Sequence, residues 1–170
     1  MISESARSNS AAEAQFRVKA SDSRPRTIVV IALDGAGEAV VRRVAHAGWT
    51  HATFFSAASP SEPDHRSADS PDGEVRDLAG HLHHVRGEVD AADLVVLVAG
   101  PGGHAYAASA IGQACSVRRV MTTGFVVGVA SASGSDVSKT LAQLRPWSLM
   151  VVIANTDESI DDLLTALRAS

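Results

Sequence analysis

Short apolar runs alternate with amphipathic segments along most of the chain. Residues 27–33 (TIVVIAL), 94–98 (LVVLV) and 149–154 (LMVVIA) are almost wholly apolar and rich in β-branched side chains. Runs of this length and composition are typical of strands that are buried on both faces of a sheet. Residues 52–57 and a segment within residues 120–129 are predicted to form two further strands. The pattern therefore predicts five strands.

Between these strands, apolar residues recur every three or four positions, which is the spacing of an amphipathic helix. One predicted helix begins after Gly37, one covers residues 74–90, one runs to about Cys115, and two flank the fifth strand. Ser135 is predicted to cap the fourth helix. The apolar positions that define four of the helices are Val40, Val41 and Val44; Val75, Leu78, Leu82, Val85 and Val89; Val137, Leu141 and Leu144; and Ile160, Leu163, Leu164 and Leu167.

Strands this apolar, alternating with helices, predict an α/β fold. We expect a doubly wound parallel sheet of about five strands, Rossmann-like and three-layered, in the order second, first, third, fourth, fifth. In such sheets ligands bind at the carboxyl ends of the strands, where the strand order reverses. The first and third strands run into glycine-bearing turns, residues 34–38 and 99–104, so these turns are predicted to form one crevice.

Two stretches are too polar to belong to the sheet or its helices. Residues 1–26 are rich in Ser, Ala and charge and lack the apolar segment of a signal peptide, so we expect a disordered N-terminal arm. Residues 27–170 are then expected to form a single α/β domain. Within it, residues 59–73 contain three prolines and are predicted to form a mobile loop.

Composition and charge limit the partners. Only 4% of the residues are aromatic, the formal net charge is −4, and no run of Lys or Arg is present, so we expect neither nucleic acid nor a membrane as a partner. The single Cys115 cannot form an internal disulfide, and no apolar stretch approaches the roughly 20 residues that span a bilayer. We therefore expect a cytoplasmic protein whose partner is a small molecule or another protein, with self-association left open.

Three segments carry a family resemblance. They are IVVIALDGAGEAVVRRVAHAGW (residues 28–49), DAADLVVLVAGPGGHAYAASAIGQA (residues 90–114) and LAQLRPWSLMVVIANTDESIDDLL (residues 141–164). Together they resemble the nucleotide-binding (GTPase) domain of the tubulin/FtsZ family. In that family a central strand enters a glycine-rich loop and helix, a later strand enters the signature loop AGMGGGTGTG, and a further strand ends in an Asn-Asp turn.

The resemblance implies GTP or GDP as the cofactor, bound against the two glycine turns and the ends of neighbouring strands. Thr122 and Thr123 are added to the candidates because their hydroxyls interrupt the fourth strand near its expected end, and Asn155 because it matches the family's Asn-Asp turn. The candidate ligand-binding residues are Asp34, Gly35, Gly37, Glu38, Gly100, Gly102, Gly103, His104, Tyr106, Thr122, Thr123 and Asn155.

Both turns depart from the family pattern. The first turn, DGAGE, places Asp34 and Glu38 beside the expected phosphate position, and their charges disfavour an anion there. In the second turn, His104 and Tyr106 replace small residues that let the backbone approach a phosphate. The sequence also ends before the family's long central helix and second domain. We therefore expect a non-hydrolysing protein with a regulatory or accessory binding role.

Two other functions stay open at this point. One is a GTP- or GDP-binding protein with atypical loops. The other is a small Rossmann- or flavodoxin-like enzyme in which Asp34 orients His104 for acid–base chemistry, together with Tyr106. Against dinucleotide binding, the run GAGEA lacks the full G-x-G-x-x-G pattern.

Two further groups of residues have a chemical and a structural interpretation. His81, His83 and His84 resemble a metal-binding cluster, but helical spacing turns His83 away from the other two and favours a solvated helix face. Cys115 falls on the apolar side of its predicted helix and is interpreted as a core thiol. We expect no metal site.

Overall fold

A sheet of seven strands runs through the part of the chain that the computed structural model describes, which is residues 25–57, 73–155, 158–167 and 169. The predictions of a disordered arm over residues 1–26 and a mobile loop over residues 59–73 lie almost wholly outside the described residues. The fold is therefore defined by the segments that form and flank this sheet.

The described strands have the spatial order β4-β3-β2-β1-β5-β6-β7. Strands β2, β1, β5, β6 and β7 are parallel, whereas β3 and β4 add an antiparallel hairpin beside β2. The five parallel strands are those predicted from the apolar runs, and their predicted order is confirmed. The strands are β1 (Ile28–Ala32), β2 (Ala52–Ser56), β3 (Glu74–Asp77), β4 (Leu82–His84), β5 (Leu94–Ala99), β6 (Met121–Val126) and β7 (Met150–Ile153).

Strands β1 and β5 lie at the centre of the sheet, and every residue of both is buried. Ile28 of β1 is in register with Ala52 on one side and with Leu94 on the other. Because both strands have parallel neighbours and helices cover both faces, neither face needs polar side chains. The continuous apolar runs in the sequence follow from this position.

Five described helices cover the two faces of the sheet. One face, with Ile31 and Leu97, packs against α2, α3 and α4, and the other, with Val30 and Val96, packs against α1 and α5. This is the predicted three-layer, Rossmann-like α/β architecture. None of the described helices is long and apolar enough to cross a membrane. They are α1 (Gly35–Ala45), α2 (Val85–Asp90), α3 (Ala108–Arg118), α4 (Gly134–Leu144) and α5 (Glu158–Ala166).

The prediction of one helix over residues 74–90 is wrong in its first half, which forms the β3–β4 hairpin. The Asp77 carboxylate accepts hydrogen bonds from the amides of Ala79 and His81, both at 2.9 Å, and Gly80 has a φ of +96°. An aspartate that binds backbone two residues later, followed by a left-handed glycine, stabilises a turn. The hairpin buries Val75 and leaves Leu82 exposed, although helical spacing would place both on one face.

Candidate functional site

The two glycine turns meet at the carboxyl ends of the neighbouring strands β1 and β5, as predicted. A Cβ at Gly100 would lie 2.5 Å from the Cβ of Ala36, and a Cβ at Gly37 would lie 2.3 Å from the carbonyl oxygen of Val98. Both distances are far shorter than van der Waals contact. Glycine is therefore required at both positions, at Gly100 because the two turns touch each other and at Gly37 because the first turn packs against the end of β5.

Asp34 joins the two turns through its carboxylate. As the N-cap of α1, it accepts a hydrogen bond from the amide of Gly37 at 2.8 Å. The amide of Gly100 in the other turn donates to both carboxylate oxygens, at 3.1 and 2.9 Å. The Asp34 side chain is buried. Its carboxylate thus acts as an internal anion that binds amide groups from both turns.

Helix α4 accepts hydrogen bonds from two amides of the second turn and from the amide of Ala105, which follows the turn. The donors and acceptors are Gly102 N and Asp136 O (3.1 Å), Gly103 N and Thr140 Oγ1 (3.0 Å), and Ala105 N and Gln143 Oε1 (2.8 Å). In a phosphate-binding loop, amide groups of this kind point at the ligand. Here they bind α4 instead.

Thr140 and Gln143 also donate hydrogen bonds back to the second turn. The Thr140 hydroxyl donates to the carbonyl of Gly100 at 2.9 Å, and the Gln143 amide donates to the carbonyl of Gly103 at 2.9 Å. Thr140 is fully buried. Sequence reasoning missed both residues, because they lie between the apolar positions of an ordinary amphipathic helix. The cap of this helix is Ser133, which accepts from the amide of Asp136, and not Ser135 as predicted.

The Glu38 carboxylate is paired with neighbouring side chains and is not an isolated charge beside the turns. Arg42, one helical turn later, lies 2.7 Å from Glu38 Oε1, and the hydroxyl of Ser56 donates to Glu38 Oε2 at 2.9 Å. Arg42 also donates to the carbonyl of Leu78 at 3.2 Å. The Glu38 charge therefore ties α1 to the end of β2. Of the two carboxylates predicted to repel a phosphate, only that of Asp34 lies in the contact between the turns.

His104 and Tyr106 are exposed at the end of the second turn. Their rings make an edge-to-face contact with centroids 6.3 Å apart. Among the described residues, the structure shows no hydrogen bond between His104 and Asp34. The Asp34 carboxylate accepts its hydrogen bonds from backbone amides instead. The carboxylate–imidazole pair required by the enzyme hypothesis is therefore not formed in this structure.

The other candidate residues are not gathered at the turns. Thr122 and Thr123 are buried near the amino end of β6, where Thr122 is in register with Val95. The carboxyl end of β6, at Val126, lies four residues beyond Thr122, which is a distance of about 13 Å at roughly 3.3 Å per residue. Asn155 is exposed just beyond β7. Gly35 is the first residue of α1, and a Cβ there would meet no other atom.

Thr122 contacts the single cysteine. Burial raises the pKa of the Cys115 thiol, and a hydrogen bond with Thr122 offsets part of that shift. Cys115 is almost fully buried within the packing between the sheet and α3. A buried thiol with a raised pKa is a poor nucleophile. This environment agrees with the interpretation of Cys115 as a core residue.

The three histidines lie in the β3–β4 hairpin and not on a helix. His83 lies between Asp77 Oδ2, at 3.3 Å, and Glu88 Oε1, at 3.0 Å, and its ring packs edge-on against Phe55. His81 Nδ1 lies 3.0 Å from Asp77 Oδ2. Within the described ranges, no group of three or more His, Cys, Asp or Glu side chains has the arrangement of a metal site.

This cluster makes the hairpin sensitive to pH. A backbone hydrogen bond from His81, with further hydrogen bonds from His81 and His83, holds the pKa of Asp77 well below its ordinary value of 3.8. For His83, burial disfavours the charged form, but the hydrogen bonds to Asp77 and Glu88 outweigh it and raise the pKa above 6.5. The contribution of Asp77 to folding stability is therefore complete above pH 3.8 and is lost only as the pH falls below that value. The contribution of His83 is lost as the pH rises through its raised pKa.

We expect wild type to be more stable than His83→Gln by a larger margin at about pH 5.5 than at about pH 8.5, because only the charged imidazole gains from both carboxylates. Urea unfolding at the two pH values measures this difference. His84→Gln is the matched control, since His84 is an exposed neighbour on the same strand. The difference in stability between wild type and His84→Gln should not grow at the lower pH as it does for His83→Gln. An equal margin for His83→Gln at both pH values would contradict the expectation.

The fold and the geometry together define a Rossmann-like α/β protein in which the two glycine turns bind each other and α4. No protein-family model matches the sequence, and no curated protein matches it either.

Proposed function

We propose that the protein is a non-hydrolysing, tubulin/FtsZ-like nucleotide-fold protein with a regulatory or accessory binding role. The observation that carries this proposal is the position of the Asp34 carboxylate, which accepts hydrogen bonds from Gly37 and Gly100 in the two turns. A nucleotide bound in the family manner needs these amide groups for its phosphates. In this chain they already bind an anion that is part of the protein.

The energies involved disfavour a phosphate at this position. A hydrogen bond to a charged group contributes about 1.5–3 kcal/mol, and displacing Asp34 would break such bonds in both turns. A phosphate charge about 4 Å from the carboxylate would add repulsion of about 4 kcal/mol at an effective dielectric constant of 20. The N-terminus of α1 offers an anion about 0.3–1 kcal/mol, and about 2 kcal/mol in the most favourable sites. The repulsion therefore exceeds the attraction.

Three further amides, two in the second turn and one just after it, support the same conclusion. To accept a phosphate, Gly102, Gly103 and Ala105 would have to release their hydrogen bonds to α4. Gly103 has a φ of +78°, and a Cβ there would lie 2.9 Å from the Cβ of Lys139. This glycine is therefore needed for close packing on α4, which accounts for its presence without a ligand.

We expect GTP, GDP and ATP to bind wild type no tighter than about 1 mM in calorimetric titrations, with or without Mg²⁺. Mg²⁺ is included because it can bridge a carboxylate and a phosphate. Asp34→Asn removes the charge while keeping one oxygen that accepts from Gly37, so any gain in affinity should appear in this variant. Glu38→Gln is the matched control, because Glu38 is paired with Arg42.

Micromolar binding of GTP or GDP to wild type would overturn this proposal and favour the GTP- or GDP-binding alternative. The enzyme alternative would be supported if substitution of His104 abolished a measurable turnover while leaving the fold intact. Neither outcome is expected from the geometry of the two turns.

A further inference from the structure

A groove lies at the amino ends of the parallel strands, whereas the glycine turns lie at their carboxyl ends. It is formed by the amino ends of β6 and β7, the last turn of α3 and the 3₁₀ turn Arg145–Trp147, and its volume is about 400 Å³. Cavities of about 300–1,000 Å³ with an apolar lining and a few polar groups are typical of small-molecule sites. The groove is therefore large enough for a small ligand.

The apolar wall of the groove is Trp147 with its neighbours. A Cβ at Gly112 would lie 2.4 Å from the Cβ of Trp147, so the indole side chain packs directly against the backbone of α3. Two other residues that line the groove expose large apolar side chains, with Leu149 at 79% and Met121 at 41%. Exposed apolar side chains around a concave surface indicate a binding site more than isolated ones do.

Arg119 supplies the only charge on the lining. The adjacent Arg118 forms an ion pair with Asp90 at 2.9 Å, whereas no carboxylate pairs with Arg119 among the described residues. The chain as a whole has a net charge of −4, so this unpaired cation contrasts with the average surface. The groove therefore favours a ligand that carries a negative charge.

The backbone of Arg119 is also unusual. Its φ of +58° makes it the one non-glycine residue in the left-handed region within the described ranges, and it ends α3 at a position that glycine or asparagine normally occupies. The amide of Arg119 donates to the carbonyl of Ser116 at 3.2 Å and that of Val120 to the carbonyl of Cys115 at 3.0 Å, so this conformation ends α3 and fixes the backbone position of Arg119 at the rim of the groove.

The hydroxyl of Ser148 gives a further indication. In the described part of the chain, Ser148 Oγ is the one buried side-chain oxygen or nitrogen without a hydrogen-bond partner, and Ser148 belongs to the lining of the groove. Buried polar groups without partners are rare and call for an explanation such as an unobserved ligand. Rotation about a single side-chain bond changes the direction of this hydroxyl.

We propose that the groove binds a small organic anion, an apolar body that carries one carboxylate or phosphate group. Arg119 binds the anionic group, and Trp147 and Leu149 pack against the apolar body. The site is separate from the glycine turns and does not depend on the function proposed for them.

The test is a calorimetric titration of the full chain with octanoate, octyl phosphate and octanol. We expect saturable binding of at least one of the two anions and binding of octanol weaker by about tenfold or more, since the alcohol lacks the charge that pairs with Arg119. The tighter of the two anions identifies the head group as carboxylate or phosphate. Equal binding of octanol and the anions, or no binding of any probe, would overturn the proposal.

Variants test the role of Arg119. Arg119→Asn and Arg119→Gly both suit a φ of +58° and should weaken binding of the anion by about tenfold or more while the protein stays folded. Arg118→Gln is the matched control, because Arg118 pairs with Asp90 outside the groove lining, and its affinity should equal that of wild type. Unchanged binding in both Arg119 variants would contradict the proposal.

Fluorescence locates the bound probe. The sequence contains two tryptophans, and Trp49 packs on the other face of the sheet, so Trp49→Phe leaves Trp147 as the only indole. Octanoate or octyl phosphate should then change the Trp147 emission with the same midpoint as the calorimetric titration. Binding that leaves this emission unchanged would place the probe elsewhere and overturn the proposal.

Discussion

Replacing Asp34 with alanine is expected to lower the free energy of unfolding by about 1.5–5 kcal/mol. Loss of an N-cap costs about 0.5–2 kcal/mol, and a buried amide without a partner costs about 1–3 kcal/mol more. Both losses apply here, because the carboxylate caps α1 and also binds the buried amide of Gly100 in the neighbouring turn. Urea unfolding monitored by far-UV circular dichroism measures the change.

The matched control is Ser133→Ala at the cap of α4. Ser133 accepts from the amide of Asp136 in an exposed position and does not link two turns, so its loss should cost about 1 kcal/mol. Asp34→Asn should fall between wild type and Asp34→Ala. If Asp34→Ala costs no more than Ser133→Ala, the link between the two turns does not contribute to stability.

Gly37→Ala is expected to destabilise the protein by about 3 kcal/mol or more. Its Cβ would lie 2.3 Å from the carbonyl oxygen of Val98, a backbone atom of the central strand β5. Overpacking of a well-packed core typically costs about 1–3 kcal/mol, and a clash with backbone has less room to relax than a clash with a side chain. The urea midpoint of the variant, compared with that of wild type, gives the size of the effect.

Gly35→Ala provides the control within the same helix. A Cβ at Gly35 meets no other atom, so alanine should be neutral or stabilising by about 0.5–1 kcal/mol through its better helix propensity. The two substitutions are chemically identical and lie two residues apart. Equal effects would show that the contact between the first turn and β5 is not tight.

Much of the fold could be predicted from the sequence, because apolar runs such as residues 27–33 are long and are bounded by turn residues. The assignment of residues 74–84 to a helix is wrong because Val75 and Leu82 satisfy helical spacing as well as a hairpin that buries only one of them. The decisive feature was local. Asp77 with Gly80 three residues later favours a turn, but the helical spacing of the apolar residues does not reflect this signal.

The candidate site was predictable in position but not in its interactions. Glycine has the same sequence signature whether it allows a phosphate or another backbone to approach, and at Gly37 and Gly100 the neighbour is the protein itself. The charge of Asp34 is evident in the sequence, but one of its two partners, the amide of Gly100, lies 66 residues away in the second turn. Thr140 could not be found, since its contact with Gly100 depends on how α4 packs against the sheet.

The internal position of the Asp34 anion has a consequence for the protein in the cell. A dissociable ligand that binds only the native state stabilises it by an amount that grows with the ligand's concentration. A carboxylate attached to the chain is present at a fixed effective concentration and cannot be diluted away. In the cell, the stabilisation that Asp34 gives to the contact between the two turns should therefore not depend on the concentration of any dissociable anion.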